Sequence, residues 1–122
     1  MRPPEGSSPL VFAVETTNGI VRITFRGDLD ISRYSEVGQV LQRAADVESL
    51  HVLIVFDESV RFVDSFTLSE LLLFRRRLAL KFRRVAVFIA NDKVYHMLAL
   101  TNVAERLSAS MNEAEAVKAL RD

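Results

Sequence analysis

The sequence predicts a single α/β domain whose mixed sheet has a parallel central portion. Three observations lead to this fold class: a hairpin signal near the N-terminus, two continuous apolar runs, and helix-like segments that alternate with those runs. A chain of 122 residues is long enough for one hydrophobic core but not for two. We therefore expect a flexible leader at residues 1–9 and one domain at residues 10–122.

The N-terminal part predicts a hairpin. Residues 1–9 are rich in Pro, Gly and Ser, which is typical of a flexible leader. Apolar strands are predicted at 10–15 and 20–26, and the Asn18-Gly19 pair between them favours a two-residue turn. The stretch GDLDIS at 27–32 then ends the second strand and offers helix caps.

Two continuous apolar runs predict the central strands. They lie at 51–57 and 84–90, and their length and composition suit parallel strands that helices cover on both faces. Neither face of such a strand is exposed to solvent, so its side chains are expected to be buried on both sides. The residues on which we rest this prediction are Val52, Ile54, Val85, Val87 and Ile89.

About four helices are predicted between and after these strands. Apolar residues at three- and four-residue spacing predict a helix over 32–48, and capping residues mark helices near 65–82, 91–102 and 111–121. Asn91 or Asp92 would cap the third helix, and Asn112 the last. The periodic residues of the first helix are Tyr34, Val37, Val40, Leu41 and Ala44.

Composition excludes several classes of function. Sixteen basic and sixteen acidic side chains cancel, so no net field attracts nucleic acid or anionic lipid. There are no cysteines, and the two histidines lie on different predicted elements, so we expect no metal site and no cofactor. No glycine-rich phosphate loop or nucleophile motif is present, and we expect the protein not to be an enzyme.

The sequence also predicts a cytoplasmic protein. The N-terminal residues lack the apolar core of a signal peptide, and no apolar run approaches the length that crosses a bilayer. We therefore expect no direct insertion into a membrane.

Several motifs occur in a definite order along the chain. A hairpin leads to a G-D-L-D turn at 27–30, a buried strand ends in Asp57, and a V-x-F-x-D-S segment at 60–65 opens the next helix. A second buried strand, the Leu-Thr-Asn element at 100–102 and a final EAEAVKAL helix follow. In this order the motifs resemble the STAS domains of bacterial anti-sigma factor antagonists, over about residues 11–120.

The resemblance implies a phosphorylation switch at Ser65. In that family, an anti-sigma factor that is itself a kinase phosphorylates the serine after the aspartate. The unphosphorylated antagonist binds that kinase and frees the sigma factor. The alternative from the residues alone is that Asp64 or Ser65 merely caps the helix. The family also usually continues D-S-[ST]-G, whereas Phe66 and Thr67 stand here.

The helix predicted at 65–82 has two apolar faces. Phe66, Leu73 and Leu80 lie seven residues apart, on a stripe that either neighbouring helices cover or a partner protein contacts. Arg75 falls near the core face, where we expect its charged end to reach the edge. The broad face expected to enter the core consists of Leu68, Leu71, Leu72, Phe74, Leu78, Ala79 and Phe82.

Three functional hypotheses follow. The first is a signalling module that binds an anti-sigma factor with serine kinase activity and is switched at Ser65. The second is a STAS accessory subunit that docks constitutively on the ABC-type ATPase of a membrane lipid transport complex. An enzyme of flavodoxin-like architecture is a distant third. The residues predicted to bind a protein partner are Asp28, Asp30, Asp64, Ser65, Phe66, Ser69, Leu73 and Arg76.

Overall fold

The computed structural model describes residues 11–46 and 50–121, which form one five-stranded mixed sheet with helices on both faces. The predicted leader lies outside the described residues. Strands follow one another in sheet order as they do in sequence; the first pair is antiparallel and the other pairs are parallel. The strands are β1 (Val11–Thr17), β2 (Ile20–Arg26), β3 (His51–Phe56), β4 (Val85–Ile89) and β5 (Ala109–Ser110).

Five α-helices connect and follow these strands among the described residues. A short 3₁₀ turn (Ile31–Arg33) precedes the first of them. The predicted caps of the third and fifth helices are present, because the side chains of Asn91 and Asn112 accept hydrogen bonds from backbone N–H groups of the first turn. The helices are α1 (Tyr34–Asp46), α2 (Ser65–Ala79), α3 (Asp92–Leu100), α4 (Val103–Arg106) and α5 (Glu113–Arg121).

The hairpin and the central strands confirm the sequence-based predictions. Asn18 and Gly19 both have positive φ, as a two-residue hairpin turn requires. Along β3 the side chains alternate between two hydrophobic clusters: one face packs under α1 to α4, and the other packs against α5. The five strand residues on which the prediction rested are all buried.

The end of α2 differs from the prediction. The helix stops at Ala79 rather than at residue 82, and Ala79 and Phe82 are exposed rather than part of the core, Phe82 by 94%. The backbone N–H groups of Phe82 and Arg83 donate to the carbonyls of Ala79 and Leu78. With Phe82 in the left-handed region (φ 58°), this is a Schellman motif, which ends a helix and turns the chain away from its axis.

Two short elements, α4 and β5, were not predicted. Four and two residues respectively are too few for a hydrophobic period to appear in the sequence. β5 nevertheless adds a fifth strand beside β4, and α4 places Ala104 in the main core cluster.

Arg83 is buried and ties the end of α2 to the end of α1. Its guanidinium donates hydrogen bonds to the carbonyls of Ala44, Ala45 and Leu50, of which the first two lie in the last turn of α1. Burial lowers the pKa of Arg83 from its ordinary value, because desolvation disfavours the charged form. The guanidinium thus satisfies carbonyl groups that the helix itself leaves unpaired.

Arg83→Ala is expected to lower the free energy of unfolding by about 2–4 kcal/mol, because it leaves those carbonyls without donors. Urea denaturation followed by circular dichroism measures the change. The matched control is Arg84→Ala, whose side chain is exposed and whose loss should cost less than about 0.5 kcal/mol. Equal effects for the two variants would contradict the capping role of Arg83.

Candidate functional site

Ser65 is the first residue of α2 and is exposed, as the sequence predicted for its position. The helix cap is Asp64: its Oδ1 accepts a hydrogen bond of 2.8 Å from the backbone N–H of Thr67. The hydroxyl of Ser65 forms no hydrogen bond with any described residue. Of the two residues that the sequence offered as caps, Asp64 takes that role and leaves the Ser65 hydroxyl available.

Leu29 of the G-D-L-D turn holds the segment before α2 in place. Its N–H donates to the carbonyl of Phe62 at 2.8 Å, and its carbonyl accepts from the N–H of Asp64 at 2.9 Å. Leu29 and Val63 form an isolated parallel bridge, and both side chains are buried. The turn after β2 and the loop after β3 therefore meet directly beside Ser65.

The two aspartates of that turn act as local hydrogen-bond acceptors. Asp28 Oδ1 accepts a hydrogen bond of 3.0 Å from the backbone N–H of Arg61, so it also joins the two loops. Asp30 caps the 3₁₀ turn through the N–H and hydroxyl of Ser32. The hydroxyl hydrogen bond from Ser32 is the main cause that lowers the pKa of Asp30 from its ordinary value.

Asp57 belongs to the same end of the sheet but is already paired. Its carboxylate accepts from the N–H and hydroxyl of Ser59 and lies 3.3 Å from Arg26 Nε. Turn and cap hydrogen bonds thus account for the positions of the four carboxylates at this end of the sheet, those of Asp28, Asp30, Asp57 and Asp64. No group of three or more residues suited to a metal ion occurs within 11–46 and 50–121.

Phe66 is exposed by 56% and is held against Tyr34 of α1. Their ring centroids are 6.5 Å apart with an angle of 77° between the planes, an edge-to-face arrangement. The hydroxyl of Tyr34 donates to Glu70 at 3.1 Å, and this hydrogen bond raises the pKa of Tyr34 from its ordinary value. Arg77 also donates to Glu70, which orders the carboxylate further.

Four exposed apolar side chains stand on the segments that meet around Ser65, and we call them the apolar patch. Of these four residues, the sequence predicted only Phe66 to bind a partner, and it placed Tyr34 on the apolar face of a helix. A signal for Ile31 was present, since it is an isolated apolar residue between the capping residues Asp30 and Ser32. The patch consists of Ile31, Tyr34, Phe62 and Phe66.

The remaining predicted partner-binding residues extend away from Ser65 along α2. Ser69, Leu73 and Arg76 are all exposed, but at 1.5 Å per residue Arg76 starts roughly 16 Å from Ser65 along the helix axis. The structure does not gather these residues at one point. It arranges them as a continuous exposed face that begins beside the patch.

Thr67 occupies the position where the family that the motifs resemble usually has glycine, and its side chain is fully buried. Its hydroxyl lies 3.5 Å from the carbonyl of Leu29. The side chain therefore fills space between the start of α2 and the G-D-L-D turn. This departure from the motif adds packing beneath the exposed Ser65 and Phe66 rather than occupying the surface itself.

Comparison with solved structures places the fold among anti-sigma factor antagonists. An antagonist from Mycobacterium paratuberculosis is 18% identical over 93% of this chain and 95% of its own, with a TM-score of 0.81. Unphosphorylated SpoIIAA, also an anti-sigma factor antagonist, is 20% identical over 91% and 96%, with a TM-score of 0.68. The phosphorylated form of Bacillus SpoIIAA is 19% identical over 88% and 97%, with a TM-score of 0.61.

These identities are low enough that the likeness establishes the fold alone. No curated protein sequence matched the chain. Within the described part of the chain, no helix is both long enough and apolar enough to cross a bilayer. The STAS domain family model matches residues 11–116, which is most of the chain and includes the turn, the patch and α2. The chain therefore belongs to the STAS domain family.

Proposed function

We propose that this protein is a non-enzymatic signalling module of the anti-sigma factor antagonist type, which binds an anti-sigma factor with serine kinase activity and is switched by phosphorylation of Ser65. The observation that carries this proposal is the free, exposed hydroxyl of Ser65 at the start of α2, beside the apolar patch. Asp64 already caps the helix, so modification of Ser65 removes no hydrogen bond that the fold uses.

The position suits a switch that leaves the fold intact. A phosphate on Ser65 adds roughly −1.5 to −2 charges at pH 7. At a helix N-terminus, a negative charge faces unpaired N–H groups and a partial positive charge, so the folded domain tolerates it. A partner docked over the patch would instead have to bury that charge, and its affinity would fall.

The patch supplies the contact surface for such a partner. Aromatic side chains dominate the binding energy of many interfaces, and Phe66 is already oriented by Tyr34 and the hydrogen bond to Glu70. A side chain ordered before binding loses little rotamer entropy when the partner docks. Phe66 would then be an anchor directly beside the switch.

Ser65→Asp is expected to weaken binding to the anti-sigma partner by about 100-fold, since a desolvated charge without a counter-ion costs on the order of several kcal/mol. The same charge should leave the melting temperature unchanged or raise stability by ~0.3–1 kcal/mol. Isothermal titration with the co-purified partner and a thermal melt measure the two effects. Unchanged affinity with an intact fold would reject the phospho-switch.

A matched control adds the same charge elsewhere. Ala114 is exposed in the first turn of α5, on the opposite face of the sheet from α2. Ala114→Asp should leave partner affinity within about twofold of the unmodified chain, because its charge lies outside the proposed interface. Ser65→Ala should bind in full and stay bound after treatment with the kinase and ATP.

Phe66→Ala is expected to weaken partner binding by about tenfold or more, because it removes an ordered aromatic anchor. The side chain is more than half exposed, so the melting temperature should change little. Leu100→Ala is the matched control: Leu100 is an exposed apolar residue at the end of α3. Equal affinity for Phe66→Ala and the unmodified chain would remove Phe66 from the interface.

The second candidate is constitutive docking on an ABC-type ATPase of a membrane lipid transport complex. The stripe of Phe66, Leu73 and Leu80 favours it, since all three side chains are exposed and could form a permanent contact. In that case Ser65→Asp and Ser65→Ala would bind the ATPase subunit alike. Mass spectrometry of co-purified partners and of Ser65 distinguishes the two candidates.

A further inference from the structure

A groove of about 930 Å³ lies along α2 from Ser69 to Ala79, against the end of α4, the start of β4 and the end of α5. Ser69, Leu73 and Arg76, predicted from the sequence as partner-binding residues, form part of its α2 wall. The groove is thus continuous with the exposed face that begins at the apolar patch.

The groove is strongly cationic. Its lining contains Arg75, Arg76, Arg84 and Arg106, and no aspartate or glutamate. None of the four forms a salt bridge with a described carboxylate, in contrast to Arg26 and Arg77, for example. The capping arginine, Arg83, also borders the groove, but its guanidinium is already used by backbone carbonyls.

Arg75 is held in place at the groove by Ser108. Its Nη2 donates to Ser108 Oγ at 2.8 Å, which fixes the guanidinium, while its Nε is shielded from solvent and has no partner among the described residues. The planar fork of a guanidinium suits a carboxylate.

Among the described residues, no strand pairs with the first residues of β4 on the groove side. β5 pairs only with Val87 and Phe88, so no strand lies beside Val85, which lines the groove. An open strand edge is a site at which an extended peptide can add main-chain hydrogen bonds. The α2 and α5 residues Ala79 and Ala119, which border the groove, lie at or near the C-terminal ends of their helices. Such ends present carbonyl groups rather than the free N–H groups that hold a phosphate at a helix N-terminus.

We infer that this groove binds an acidic, extended segment of the protein partner. Carboxylates of the segment pair with the four arginines, apolar side chains contact Leu72 and Leu73, and its main chain lies along the edge of β4 beside Val85. The inference deepens the proposed function and rests on it for the existence of a partner on this face. It adds the chemistry of the segment that the partner contributes.

The probe is a fluorescein-labelled ten-residue peptide that alternates Glu and Val, titrated with the full chain and followed by fluorescence anisotropy. We expect saturable binding that weakens as salt rises, and no binding of the matching Lys-Val peptide. Arg76→Glu and Arg106→Glu should each lower affinity at least about tenfold, because they reverse the charge of the groove. Thermal melts establish that each variant is folded.

The matched control is Arg43→Glu, an exposed arginine of α1 that does not line the groove, which should leave peptide affinity unchanged. Ser65→Asp should also leave peptide affinity unchanged. Peptide binding therefore tests the groove independently of the proposed switch at Ser65. Equal losses for Arg43→Glu and the groove variants, binding of the Lys-Val peptide, or displacement of the probe by equimolar inorganic triphosphate or oligothymidine would overturn the inference.

Discussion

Two hydrogen bonds of the Leu29 backbone hold the candidate site together. They join the turn after β2 to the loop after β3, beyond the last regular pairs of the two strands. Because Leu29 is buried, its neighbours on either side are held at the surface in fixed positions. Asp28, Ile31, Phe62 and Ser65 all lie within a few residues of that junction. The position of Ser65, the proposed switch, therefore depends on a contact between segments more than thirty residues apart.

The start of α2 places residues that stabilise the helix next to residues that remain exposed. Asp64 caps the helix, Thr67 fills the space beneath it, and Ser65 and Phe66 remain exposed between them. A charge added to Ser65 is therefore compatible with the fold while it changes the surface that a partner meets. The loss of the usual glycine at position 67 has a packing explanation, because the threonine side chain occupies the junction with Leu29.

The other end of α2 uses arginine in two different ways. Arg83 is buried and satisfies carbonyls at the end of α1, so its charge contributes to the fold. Arg76, Arg84 and Arg106 remain exposed around the groove, without carboxylate partners among the described residues. The Schellman motif at Phe82 connects these roles, since it ends the helix and directs Arg83 inward. One helix thus carries the proposed switch at its N-terminus and a cationic surface towards its C-terminus.

Local sequence patterns determined the longer secondary elements and the position of Ser65, because these depend on period, turn residues and caps. The Asn18-Gly19 turn, the two buried strands and the caps Asn91 and Asn112 all follow from neighbouring residues. Tertiary structure decided which apolar faces are covered. A helical period placed Phe82 in the core, but the chain turns away before that residue, and Tyr34 meets Phe66 instead of entering the core. The groove arginines come from α2, α4 and the start of β4, and only the packing of those elements brings their charges to one surface.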